Sequence, residues 1–173
     1  GDVHPQHQHF IDRIVRTRGW IAPVFQVLLH TPDVAERVSN VGAFLLYEGA
    51  LDFRTRALVG LIAARDLDAD YVWAACAGRA GAANVDSALI DAVERGRPLA
   101  LLSTHDKALF DFCRALLRGN HHVRETTYQA AMAQFGLAST VQVSVLLGYF
   151  VMMALIANAF EIPPHADVSQ SAL

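Results

Sequence analysis

The stretch RTRALVGLIAARDLDADYVWAACAGR, residues 54–79, contains two apolar segments separated by an acidic turn. Apolar residues recur at helical spacing in its first half, which predicts a helix that is capped by Asp52 and ends near Arg65. Asp68 is the expected cap of a second helix that ends near Gly81. The stretch therefore predicts two consecutive helices joined by a short turn.

The remainder of the sequence has many helix signals and few strand signals, so we expect an all-α domain spanning residues 1–173. A polar arm over residues 1–8 and a loose tail over residues 165–173 are expected at its ends. Three further helices are predicted before the 54–79 stretch: 6–18, 23–29, and Pro32 to about Gly49, the last capped by Thr31. Four more are predicted after it. They start at Asn84 or Asp86 and end near Gly96, start at Ser103 or Thr104 and end at Gly119, span 124–135 before Gly136, and form a long apolar helix before Pro163.

Composition limits the classes of partner. The chain is 53% hydrophobic and only 18% charged, which favours a homo-oligomer that covers apolar surface. The formal net charge of −3, with no basic run, argues against nucleic-acid binding. Residues 141–160 are apolar enough to cross a membrane, but no Lys or Arg cluster flanks them. We expect a buried helix there and no membrane partner.

Cysteine and histidine usage gives little sign of a disulfide or a metal. Cys76 and Cys113 lack the spacing of a disulfide framework or a zinc site, and nothing resembles a signal peptide, so a cytoplasmic location is expected. His4, His7 and His9 could bind a metal in principle, but a polar arm is the favoured interpretation. No phosphate loop or nucleophile elbow is present. We therefore expect neither a metal nor a cofactor.

Several short motifs occur in order between about Trp20 and Pro163. They are Leu29-His30-Thr31-Pro32, Arg56-Ala57-Leu58, YVWAAC over 71–76, Asn120-His121-His122-Val123 before Thr127-Tyr128, Gly148-Tyr149, and Asn158-Ala159-Phe160-Glu161. Together they resemble the carboxymuconolactone decarboxylase family. The resemblance implies an alkylhydroperoxidase-D-like helical bundle, usually trimeric or hexameric, with sites near subunit contacts.

The sequence departs from that family at the positions that carry its chemistry. Peroxidase members use a Glu, a C-x-x-C pair and a His, whose positions correspond to Ala57, Ala69, Val72 and Cys76. Decarboxylase-like members use the Glu and His of Tyr-Glu-Trp-x-x-His, which are again Val72 and Cys76. A further family Glu on the last helix corresponds to Gln142. Paired thiols and the usual proton carriers are therefore absent.

Other residues must carry any chemistry, and each candidate also has a structural interpretation. A His can cap or pack, a Cys or aromatic side chain can fill the core, an Arg can form an ion pair with Glu48 or Asp52, and Glu48 itself can be a solvated helix end. The candidate catalytic residues are His30, Glu48, Tyr71, Cys76 and His121, and the candidate substrate-binding residues are Arg54, Arg56, Trp73, Gln142 and Tyr149.

The favoured function is a cofactor-independent enzyme that moves protons on a small, hydrophobic compound with an activated carbonyl group. Decarboxylation, dehydration, isomerisation and ring closure all remain open, and a role in specialised natural-product metabolism is a conjecture from the lost carboxylates. One alternative is a thiol-dependent peroxidase that uses Cys76 alone. Another is a protein that binds a hydrophobic small molecule without changing it.

Overall fold

Helices form all of the regular structure in the described part of the chain. The computed structural model describes residues 11–12, 15, 20–97 and 102–164. Within these residues the helices are α1 (Pro23–Leu28), α2 (Pro32–Ala43), α3 (Phe53–Asp66), α4 (Asp70–Ala82), α5 (Ser87–Glu94), α6 (Thr104–Leu117) and α7 (Glu125–Ala159), with a π-helical turn, Phe44–Glu48, after α2. The predicted all-α class is confirmed. The polar arm, the tail and most of the predicted helix over 6–18 lie outside the described residues.

Side-chain caps start three of the helices as the sequence predicts. Asp52 accepts a hydrogen bond from the Thr55 amide at 2.7 Å before α3. Asp86 accepts one at 2.8 Å before α5, and the Ser103 hydroxyl accepts one at 3.0 Å before α6. Each cap satisfies an amide that has no partner within the helix, so the helix starts are fixed locally.

One predicted cap was wrong, and another holds the cap position without the side-chain hydrogen bond. Helix α4 begins at Asp70 after Ala69, not directly after Asp68. Asp68 has a φ of 46°, which an aspartate tolerates in a turn, and its carboxylate pairs with Arg65 instead of capping. Thr31 precedes α2, but its hydroxyl donates to the Leu28 carbonyl at 3.1 Å and so binds the end of α1.

Helix α3 is the centre of the fold. Every residue from Ala57 to Ala64 is buried, because α4, α6 and α7 all pack around it. A helix that is apolar on all sides needs this enclosure. At Gly60 the neighbours come so close that an added side-chain carbon would lie 2.3 Å from the Cys76 sulfur and 2.9 Å from the Phe150 ring. Glycine at this position therefore sets the spacing of α3, α4 and α7.

Helix α7 is 35 residues long and breaks at Gly136, where φ is 71° and ψ is 170°. The predicted helix end at Gly136 is thus a break between two helical halves. Among the described residues α7 is the one helix long and apolar enough to cross a membrane, with a mean hydropathy of 2.0 in its most apolar window. Half of that window is buried inside the protein, as in the core helix of a helical bundle.

Candidate functional site

A largely apolar cavity of about 100 Å³ lies beside the carboxyl-terminal half of the 54–79 stretch. Residues of α1, the π-helical turn, α4 and α7 line it, together with Trp20 and Ala22. Its polar side chains are three tyrosines, one indole, one thiol and one guanidinium: Tyr47, Tyr71, Tyr149, Trp20, Cys76 and Arg79. No histidine or carboxylate of the described residues lines this cavity.

Helix α4 supplies one wall of this cavity through residues on a single face. Val72, Cys76 and Arg79 are four and three residues apart, a spacing that places side chains on the same side of a helix. Val72 and Cys76 stand where the resemblance places the family's Glu and His. Ala57 is buried in α3 and is not a lining residue. Two of the positions at which the sequence departs from the family that it resembles therefore line this cavity.

The Tyr71 hydroxyl is a protonated donor at neutral pH. Burial raises the pKa of Tyr71 above its usual value, against the opposing effects of a hydrogen bond with the Val24 backbone and the charge of Arg79. The side chain is only 6% exposed. A neutral phenol in such a site donates a hydrogen bond and does not act as a base.

The Cys76 thiol is fully buried against α3 and α7. Burial raises the pKa of the Cys76 thiol to about 11, although the charge of Arg79 acts in the opposite direction. Cys113, the second free cysteine, is also buried, and its pKa is raised to about 12. Thiolate reactivity requires a lowered pKa, so both cysteines have the character of packed apolar side chains.

Tyr149 lies on the α7 side of the cavity and is held in a tight site. Its ring packs edge to face on Phe150, with 5.8 Å between the ring centroids. Its hydroxyl lies so close to α2 that a side-chain carbon at Gly42 would be 2.4 Å from the phenolic oxygen. The predicted role of Tyr149 as a residue facing a substrate is compatible with this position.

Sequence reasoning missed Arg79 and Tyr47. Arg79 could have been found from its spacing, because it follows Cys76 by one helical turn on the same face. Within the part of the chain that the structure describes, Arg79 forms no ion pair with a carboxylate, and it acts electrostatically on both Tyr71 and Cys76. Tyr47 reaches the cavity through the π-helical turn, a local conformation that the sequence pattern did not predict.

Seven of the ten predicted site residues do not line this cavity. His30 is exposed in the turn after α1, and Glu48 is exposed at the end of the π-helical turn. His121 is exposed between α6 and α7, where its Nδ1 is 3.0 Å from the Leu116 carbonyl oxygen. Trp73 lies against a separate surface groove. The structure does not bring these residues together with Tyr71 and Cys76.

The other three of these seven residues, Arg54, Arg56 and Gln142, form ion pairs or hydrogen bonds within the protein. Arg54 pairs with Asp106 at 2.7 Å, not with the expected Glu48 or Asp52. Arg56 donates to two backbone carbonyls of the π-helical turn region, those of Leu46 and, at 2.7 Å, Gly49.

Gln142 of α7 accepts a hydrogen bond from the Ala50 amide at 3.0 Å. This hydrogen bond and those of Arg56 hold the π-helical turn that carries Leu46 and Tyr47. The side chains of Arg56 and Gln142 are therefore occupied by contacts with the backbone.

Solved structures with the same fold exist at low sequence identity. One is an uncharacterized peroxidase-related protein from Silicibacter sp. TM1040, with a TM-score of 0.82 and 15% identity, covering 98% of this chain and 90% of that chain. Another, from Ralstonia eutropha JMP134, is described as an alkylhydroperoxidase AhpD core and an uncharacterized peroxidase-related protein. Its TM-score is 0.79 at 17% identity, covering 96% of this chain and 89% of that chain.

These likenesses show that the chain has the alkylhydroperoxidase-D-like fold. No family model and no curated protein matches the sequence.

Proposed function

We propose that this protein is a cofactor-independent enzyme of the carboxymuconolactone decarboxylase type that acts on a small, mostly apolar compound with an activated carbonyl group. The observation that carries the proposal is the composition of the cavity beside α4. Tyrosine hydroxyl groups and one guanidinium line a mostly apolar space, and no carboxylate or histidine of the described residues lines it. Such a site stabilises negative charge on oxygen more readily than it removes a proton from carbon.

Among the reactions open to such an enzyme, decarboxylation of a β-keto acid suits these groups best. The substrate brings its own negative charge, so no base is needed. The bond between the α-carbon and the carboxylate breaks, CO₂ leaves, and the electron pair becomes an enolate on the carbonyl oxygen. Tyr71 donates a hydrogen bond to that oxygen, and the α-carbon then takes a proton from water, which leaves hydroxide; if a phenol gives the proton, water reprotonates it. Ketone and CO₂ are the products.

Arg79 adds a positive charge to the same wall. The charge of Arg79 acts on both Tyr71 and Cys76, so an enolate held against Tyr71 lies in its field as well. Because the cavity is mostly apolar, this attraction is screened less than it would be in water. The apolar remainder of the cavity favours a hydrocarbon body over a second charged group.

The experiment is a decarboxylation assay with 2-oxocyclohexanecarboxylate, followed by mass spectrometry of the ketone and by CO₂ release. We expect the wild-type protein to exceed the uncatalysed rate, and Ala75→Phe, which fills the cavity, to remove the excess. Ala88→Phe, at an exposed site on α5, is the matched control and should behave as wild type. Binding of this acid with no change in mass would contradict catalysis and support the simple binding protein.

A thiol-dependent peroxidase is a second candidate, because Cys76 lines the cavity and the two structural neighbours are described as peroxidase-related. With a pKa of about 11, on the order of one in ten thousand Cys76 thiols is ionised at pH 7. We expect slow peroxide consumption that rises about tenfold per pH unit below that pKa. Rapid consumption at pH 7 that is lost in Cys76→Ser, but kept in Cys113→Ser, would favour the peroxidase instead.

We also propose that the chain forms a homo-oligomer, a trimer or a hexamer, through one face of α7. Four exposed apolar residues lie on one side of this helix: Leu137, Val141, Val145 and Leu155. Their exposed fractions are 61%, 53%, 48% and 56%. An apolar surface of this kind marks a contact with another protein.

The double variant Val141→Glu/Val145→Glu should be a monomer by light scattering. Thr126→Glu, at an exposed position outside this face, should keep the wild-type mass. An unchanged mass in the double variant would place the contact elsewhere.

A further inference from the structure

A second cavity, of about 340 Å³, lies against α3, α5 and α6 and shares no lining residue with the cavity beside α4. Three guanidinium groups and two carboxylates line it, which leaves one net positive charge: Arg65, Arg114, Arg118, Asp66 and Asp68. The remaining lining is apolar apart from Gly96.

Two of the three guanidinium groups are already neutralised. Arg118 donates from Nε to both carboxylate oxygens of Asp66, at 3.0 and 2.9 Å. The Asp66 side chain is only 8% exposed, so this carboxylate is held in place by its partner. Arg65 pairs with Asp68 across the turn after α3. The surplus charge of the cavity therefore belongs to Arg114.

Arg114 forms no hydrogen bond and no direct ion pair with any residue that the structure describes, although the charges of Asp66 and Asp111 act on it. Its guanidinium carbon lies 5.3 Å from the centre of the Phe110 ring, which orients the planar group. Its Nε is buried and donates no hydrogen bond to any described residue. Burial lowers the pKa of Arg114, and the charge of Arg118 acts in the same direction, while the charges of Asp66 and Asp111 oppose both. Both effects would be relieved by an anion beside this group.

We propose that this cavity is a binding site for a small organic monocarboxylate, with Arg114 as its anchor. The planar fork of a guanidinium matches the two oxygens of a carboxylate. Ile62, Val93 and Leu117 form the apolar part of the wall, which suits a ligand with a short hydrocarbon body. The single surplus charge favours a monoanion, because the two aspartates repel any further negative charge. This site is independent of the proposed decarboxylase function.

The test is isothermal titration calorimetry of the full chain with sodium benzoate at low ionic strength. We expect wild-type protein to bind benzoate and Arg114→Gln to bind it at least tenfold more weakly, since hydrogen bonds to a charged group are lost. Arg114→Lys keeps the charge without the fork and should bind with intermediate affinity. Arg37→Gln is the matched control: Arg37 is exposed on α2 and pairs only with Asp33.

Three results would overturn the proposal. The first is equal benzoate affinity in Arg114→Gln and wild type. The second is loss of binding in Arg79→Gln with binding kept in Arg114→Gln, which would place benzoate in the cavity beside α4. The third is tighter binding of inorganic phosphate than of benzoate. Helical circular dichroism of each variant verifies that the compared proteins are folded.

Discussion

Tyr71→Phe is expected to lower kcat for decarboxylation of a β-keto acid by about 10²-fold to 10³-fold, the loss typical when one donor to a developing oxyanion is removed. The effect should fall mainly on kcat, because the hydrogen bond strengthens as charge moves onto the carbonyl oxygen. Phenylalanine keeps the ring and its packing, so the helical circular dichroism should not change. Steady-state kinetics of the purified variant is the measurement.

The pH dependence of kcat provides an independent readout for Tyr71. Because burial raises the pKa of Tyr71, its hydroxyl should stay protonated at neutral pH and beyond the ordinary value of 10.0. Activity should therefore persist until the hydroxyl ionises, and then fall as the donor is lost. Tyr128→Phe, on α7 outside the cavity lining, is the control. If Tyr71→Phe keeps more than half of the wild-type kcat, Tyr71 is not the donor.

Gly60→Ala is expected to lower the free energy of unfolding by about 3 kcal/mol, at the upper end of the usual cost of overpacking a core. The added carbon would lie 2.3 Å from the Cys76 sulfur and 2.9 Å from the Phe150 ring. Both neighbours are buried, so relief requires movement of α4 or α7. Urea unfolding followed by circular dichroism measures the loss.

A double-mutant cycle shows whether the steric contact causes that loss. Gly60→Ala combined with Cys76→Ala removes the sulfur, and we expect it to be less destabilised than the sum of the two single variants. Gly148→Ala is the matched control in α7, since nothing lies within 4 Å of the added carbon. There the better helix propensity of alanine should add up to about 1 kcal/mol. Additive effects of Gly60→Ala and Cys76→Ala would refute the contact as the cause.

Local sequence signals predicted the helices well because helix starts depend on neighbouring residues. The side chains of Asp52, Asp86 and Ser103 cap amides two or three residues ahead, so the sequence alone contains the interaction. The enclosure of α3 was not predicted, because it depends on the packing of α4, α6 and α7 around this helix. The predicted cap at Asp68 was wrong because a competing ion pair with Arg65 uses the Asp68 carboxylate.

The site was harder to predict because it depends on contacts between distant segments. His30 lies in a turn whose direction is set by tertiary packing, and the structure turns it to the surface. Arg56 binds the carbonyls of Leu46 and Gly49 through a π-helical turn that has no clear sequence signal. Tyr71 and Cys76 do line one cavity, because both lie on α4.

The hydrogen bond from the Ala50 amide to Gln142 connects two segments that are 92 residues apart in sequence. The amide hydrogen of Ala50 can exchange with solvent deuterium only when that bond opens. This bond ties the segment that follows the π-helical turn to α7. The exchange rate of this one amide therefore reports how often the wall that carries Leu46 and Tyr47 separates from α7.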